Sequence, residues 1–157
     1  MTKNFTFEEL IASEKADELG INNTPKHPYI TENLRLLALA VLQPARDHIG
    51  EPIEVESGWR SKALNRAVGG VETSQHRLGE AADIKCVGSH VDIFNYILKN
   101  LEFDQLIAEG KRAGEPKWIH VSFRKGSNRG QALIAKPKSG EMVYLPYSQE
   151  AFDKYYG

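Results

Sequence analysis

The stretch "SGWRSKALNRAVGGVETSQHRLGEAADIK", residues 57–85, decides how this chain folds. It opens at the end of "EPIEVES", where Ile53, Val55 and Ser57 alternate with charged Glu54 and Glu56, the period of two that marks a half-buried strand. "SKALNRAVGG" then reads as a short helix stopped by Gly69 and Gly70, and "SQHRLGEAADIKCV" passes through a glycine turn at Gly79 into a second strand. Strands and helices here do not alternate with the regularity that a parallel doubly wound sheet requires, so the pattern points to an α+β fold.

Upstream, "FTFEELIASEKADELG" sets Glu9 three residues after Thr6 and just before Leu10 and Ile11, the spacing of a capping box at a helix start. Pro25 and Pro28 in "TPKHPY" are expected to break any helix. "ITENLRLLALAVLQPARDHIG" then predicts a long apolar core helix from about Asn33 to Gly50, kinked or divided at Pro44. Downstream, "VDIFNYILKN" repeats its apolar residues at helical spacing. "FDQLIAEG" and "KWIHVSF" read as two strands, expected to pair residues 103–109 with 117–123 as an antiparallel hairpin. "QALIAKPKSGEMVYLPY" adds a strand or two before "SQEAFDKYYG". No repeat, low-complexity segment or linker interrupts the chain, and 157 residues suit a single domain, 1–157, with a helical layer over 1–50 and a sheet core over 51–157.

Composition narrows the chemistry. A formal net charge of −1, with 26% charged residues and no long run of one sign, lacks the footprint of a nucleic-acid binder. The lone Cys86 excludes an internal disulfide framework and any multi-cysteine zinc cluster, so a metal would have to be held by His, Asp or Glu. Glu8 and Glu9 interrupt the apolar residues of "MTKNFTFEELIASEK" before a signal-peptide core forms, and no later segment is long and apolar enough to span a membrane. The expectation is a soluble monomer.

A catalytic zinc takes three protein ligands from His and carboxylates and leaves a fourth position open. His76 and Asp83 can supply two, with Gly79 permitting the sharp turn between them. His120 is the outstanding candidate for the third: in a strand, Trp118, His120 and Ser122 share one face while Ile119, Val121 and Phe123 share the other.

Three segments lift this spacing above chance: "SGWRS", "SQHRLGEAADI", which fits S-x-H-x-x-G-x-A-x-D, and "WIHVSF". Over roughly residues 53 to 123 the chain resembles the zinc D-alanyl-D-alanine carboxypeptidase family of peptidoglycan peptidases. That family shares its metal-site fold with D-Ala-D-Ala dipeptidases, phage L-alanyl-D-glutamate endolysins and the hedgehog signalling domain. The resemblance implies a hedgehog/DD-peptidase-like α+β fold, with N-terminal helices packed on a small, mainly antiparallel sheet that carries one zinc ion. It implies that His76, Asp83 and His120 are the zinc ligands and that Arg60 contacts the substrate near the scissile bond. A permanently cationic, forked guanidinium suits either a terminal carboxylate or the oxyanion formed on the attacked carbonyl. Ser74 can hydrogen-bond the peptide or merely cap its turn.

One position departs from the pattern. Relatives commonly carry an acidic base three residues before the last histidine ligand, where this chain has Lys117. A lysine would need a strongly depressed pKa to accept a proton from water. Glu109 is the preferred replacement because the expected hairpin brings it beside the strand of His120, and Glu115, in the charged loop, is the second. The remaining residues have plain readings: His27, His48 and His90 as surface or satisfied core residues, Trp59 and Trp118 as core or pocket walls, Cys86 as a buried inert thiol. The expected activity is metal-assisted hydrolysis of a peptidoglycan stem peptide at the bacterial cell wall, first as a D-alanyl-D-alanine carboxypeptidase. The alternatives are an L-alanyl-D-glutamate endopeptidase of the phage endolysin type and a non-catalytic zinc-containing wall-binding module, which Lys117 keeps open. Periplasmic export and phage-lysis delivery would both suit such an enzyme.

Overall fold

The computed structural model describes residues 1–157. Six strands, β1 (Ile53–Ser57), β2 (Ala81–Cys86), β3 (Gln105–Glu109), β4 (Trp118–Ser122), β5 (Gln131–Lys138) and β6 (Glu141–Pro146), form one sheet in the order β1-β2-β4-β3-β5-β6. Every neighbouring pair is antiparallel except β3 with β5. The β3–β4 hairpin expected from the sequence forms, with Ile107 opposite His120 and Glu109 opposite Trp118.

Strand alternation sends Ile84, Leu106, Ala108, Ile119, Val121 and Ile134 to one face, where all are buried. Helices cover that face. The long apolar segment predicted from about Asn33 begins earlier, at Pro28: α3 spans Pro28–Leu37 and α4 spans Gln43–Ile49, joined without a break by π-helical Ala38–Leu42. Pro28 thus starts the helix rather than breaking it, because at the first helical positions a missing N–H costs nothing and the fixed φ suits the helix. Pro44 acts on the turn before it. Its ring excludes a normal α-helical turn, and the chain widens so that the Gln43 N–H bonds the Ala38 carbonyl five residues back.

The N-terminal segment read as one helix start is two helices, α1 (Phe7–Ile11) and α2 (Glu14–Glu18). Thr6 Oγ1 accepts from Glu9 N as the capping spacing predicts, and Ser13 Oγ accepts from Ala16 N to start the second. Three further helices follow: α5 (Lys62–Ala67), α6 (His90–Asn100) and α7 (Gln149–Tyr156). The helical layer is therefore not confined to residues 1–50. Phe94 and Ile97 of α6 and Phe152 of α7 join Leu34, Leu37 and Val41 in a continuous core that reaches from Phe5 to Tyr156. Burying each such side chain is worth about 1.5–3 kcal/mol, so the helices that close the core face leave the opposite face of the sheet free to carry polar groups.

Candidate metal centre

The open face holds the polar residues, and strand register aligns them. β2 and β4 pair with Asp83 directly opposite His120, so the carboxylate and the imidazole project side by side; His120 Nδ1 lies 2.9 Å from Asp83 Oδ1. His76 arrives from outside the sheet, on a 3₁₀ turn over Gln75–Leu78 that ends at Gly79. Gly79 has φ +72°, and a Cβ there would lie 2.7 Å from the Ile30 carbonyl oxygen, so both backbone conformation and the close approach of α3 demand glycine.

"SGWRS" is the clasp on His76. Gly58 passes so close to the end of α1 that a Cβ would stand 2.1 Å from the Leu10 carbonyl oxygen, and Trp59 N donates to that same oxygen at 2.8 Å. Asn23 secures the clasp, donating to the Ile11 and Trp59 carbonyls and accepting from Ser61 N. The His76 Nδ1–H donates to the Gly58 carbonyl at 2.7 Å, and Arg60 N donates to the His76 carbonyl at 3.1 Å. Since a carbonyl only accepts, this bond places the proton on Nδ1 and turns the lone pair of Nε2 toward Asp83 Oδ2, 3.4 Å away.

Together, His76, Asp83 and His120 offer one ligating atom each, all within 4.8 Å of one another. Donors at about 2.1 Å from a tetrahedral ion stand about 3.4 Å apart, so three atoms gathered this closely can reach one ion. Electrostatics agree. Burial drives the His76 imidazole below the usual histidine range despite the neighbouring Asp83, which favours the neutral, ligating form. Burial works against ionisation of Asp83, but the two imidazoles outweigh it and hold the carboxyl well below the usual carboxylate range. A buried imidazole with its second nitrogen anchored, a carboxylate and a second imidazole form a donor set suited to zinc.

This cluster lines a cavity of about 830 Å³ together with Arg60, Ser74, Glu109 and Trp118. Arg60 Nη2 donates to Asp83 Oδ2 at 2.8 Å and Nε to Ser57 Oγ at 2.7 Å, which fixes the guanidinium plane. The turn that follows Ser74 receives no cap from its side chain, so the hydroxyl is not committed as an N-cap. Glu109 lies one strand over from His120 and two residues along, flanked by Trp118 on β4 and, beyond small Ala135 on β5, by Tyr144 on β6. Burial first, and then the charge of Asp83, push the Glu109 carboxyl above the usual glutamate range. Glu115 stands elsewhere: it accepts from Ser89 Oγ and His90 N at the start of α6, outside the cavity wall. The loop that carries it is anchored by mutual Arg112–Glu115 backbone bonds. Lys117 is exposed and lays its aliphatic stem against Gly110, also outside the cavity wall.

The other singled-out residues stay apart from the cluster. His90 accepts from Cys86 N and donates to the Pro116 carbonyl, His48 stacks on Tyr96, and His27 stacks on Tyr29. Burial pushes the half-buried Cys86 thiol up to about 11, which makes it unreactive at neutral pH. Trp59 is buried with its indole N–H on the Arg77 carbonyl, while Trp118 forms part of the cavity wall. Sequence reasoning missed Asp104, Arg129 and Tyr144. Asp104 offered a faint signal, as the single acid inside the apolar run "FDQLIA".

The chain matches the family model described as Peptidase M15 over residues 3–122, a span that contains every member of the three-residue cluster and Arg60. No curated protein matches it.

Proposed function

From the premise that this chain belongs to the peptidase M15 family, whose members are zinc-dependent peptidases of peptidoglycan, we propose that it is a D-alanyl-D-alanine carboxypeptidase acting on stem peptides. The observation that carries this reading is the convergence of His76, Asp83 and His120 on one point of the open face, with Glu109 and Arg60 on the same cavity wall. His76 Nε2, an Asp83 carboxylate oxygen and His120 Nδ1 would hold the ion. When bound, zinc polarises the scissile carbonyl and lowers the pKa of water to about 7.

The chain's own residues do the rest. The Glu109 carboxylate takes the proton of the attacking water and returns it to the departing amine, from the cavity wall it shares with the metal cluster. Arg60, held in plane by Ser57 and Asp83, offers its remaining donors to the terminal carboxylate or to the developing oxyanion. Ser74 supplies a further hydrogen bond to the peptide backbone.

Digestion of de-crosslinked muropeptides by the zinc-loaded protein, weighed by mass spectrometry beside His120→Ala, tests this. Loss of one alanine from pentapeptide stems, absent in the variant, is the expected result. Cleavage between L-alanine and D-glutamate would replace the carboxypeptidase with an endopeptidase, and no cleavage with zinc bound would overturn the catalytic reading in favour of a wall-binding module.

A further inference from the structure

The same cavity contains an arginine that the chemistry above does not use, and its support is unusual. Asp104, at the entrance to β3, has no exposed surface. Its carboxylate accepts four hydrogen bonds: from Arg129 N at 3.0 Å, Arg129 Nε at 3.0 Å, Arg129 Nη2 at 2.7 Å and Gln75 Nε2 at 2.9 Å. A carboxylate so removed from water needs a matched cation. Arg129 provides it while keeping 51% of its side chain exposed and lining the cavity.

The geometry gives the guanidinium a fixed plane. Nε and Nη2 form the two-pronged edge that grips Asp104, and Nη1 has no partner within the protein. Gln75, the other donor, adjoins His76, so one buried carboxylate ties the arginine to the turn that carries a member of the metal cluster. Position follows from strand register. Asp104 N donates to the Ser122 carbonyl, and Ser122 stands two residues beyond His120 on β4, about 7 Å along the strand. Glu109 lies the other way, opposite Trp118. Arg129 therefore occupies the end of the cavity remote from Glu109, and it lies beyond the residues matched to the family.

We propose that Arg129, held in plane by buried Asp104, is a specificity residue that binds a carboxylate of the substrate at the Ser122 end of the cavity. The inference rests on the stem-peptide reading above. Such a peptide carries this chemistry in two places, the α-carboxylate of its γ-linked D-glutamate and the carboxylate of its terminal D-alanine.

The test uses the synthetic pentapeptide L-alanyl-γ-D-glutamyl-L-lysyl-D-alanyl-D-alanine and two singly amidated forms, one at each carboxylate. Binding to the zinc-loaded protein is followed by stopped-flow tryptophan fluorescence, which reads affinity whether or not turnover follows. Amidation of the recognised carboxylate is expected to weaken binding by about tenfold or more, and the position of the sensitive amide identifies its source. The preference should fall sharply in Asp104→Asn/Arg129→Gln, which removes both charges together, and should shrink less in Arg129→Lys, which keeps the charge but loses the fork. A purely structural arginine would lower stability without changing the preference among the three peptides. Equal affinity of the wild-type protein for all three, or a preference undiminished in the folded variants, overturns the inference. Cleavage without preference would leave the hydrolase reading standing, whereas preference without cleavage would sustain the role of Arg129 and sink that reading.

Discussion

Glu109 shows how the surroundings of one side chain set its chemistry. An ordinary glutamate ionises near pH 4.3, but burial and the charge of Asp83 favour the protonated form of this one in the metal-free protein. Its pKa is raised on folding, so its stabilising contribution is fully present below the unfolded value and is lost as pH rises through the folded one. Metal-free Glu109→Gln should lack that loss, which denaturant unfolding across the acidic range would register. In the zinc-loaded protein the same substitution should reduce kcat by about a hundredfold or more with zinc content unchanged, because a general base of this kind contributes at least that much. Glu115→Gln should leave kcat unchanged, since Glu115 caps α6 away from the cavity. The reverse result would move the base to Glu115.

At the scale of elements, the site depends on how closely two backbones approach. The loop between β1 and α5 can clasp His76 only because Gly58 slides beneath the end of α1, where a Cβ would stand 2.1 Å from the Leu10 carbonyl oxygen. Gly58→Ala must push that loop away and carry with it the carbonyl that orients the His76 ring. Overpacking of this kind costs about 1–3 kcal/mol of stability, and displacing the partner of a metal-ligating histidine weakens metal affinity by about 10- to 100-fold. Zinc titration of Gly58→Ala beside the wild type measures both. Unchanged affinity would mean that the clasp does not orient His76.

For the whole molecule, the donors come from a loop and two strands, and they meet only when the sheet and its helical cover are assembled. Ion binding and global stability are therefore linked: at a free zinc concentration about 100 times Kd, the folded state gains about 2.7 kcal/mol. Chelation should lower Tm, zinc should restore it, and His120→Ala should abolish the response. A Tm indifferent to zinc would show that the cluster does not hold the ion in the folded state. The C-terminal part of the chain shares in this assembly. Ile134, Phe152 and Tyr156 all lie in the common core, although none falls within the residues matched to the family.

Much of this arrangement was already legible in the one-dimensional chain. Period-two alternation marked the strand before "SGWRS" and the two faces of the strand that carries His120, and the glycine turn and the three motif segments marked His76, Asp83 and Arg60, because these are local regularities written in neighbouring residues. Pro28 misled as a helix breaker and Pro44 only hinted at a distortion, since the effect of a proline depends on whether it falls at the start or in the body of a helix. The expected hairpin already favoured Glu109 over Glu115; what the tertiary structure alone decided was register and long-range pairing: Asp83 opposite His120, Glu115 held at the start of α6, and Arg129 gripped by Asp104. Those contacts join residues 25 or more positions apart, and their energies depend on which side chains the packed core brings together and shields from water, a quantity that no local window of sequence contains.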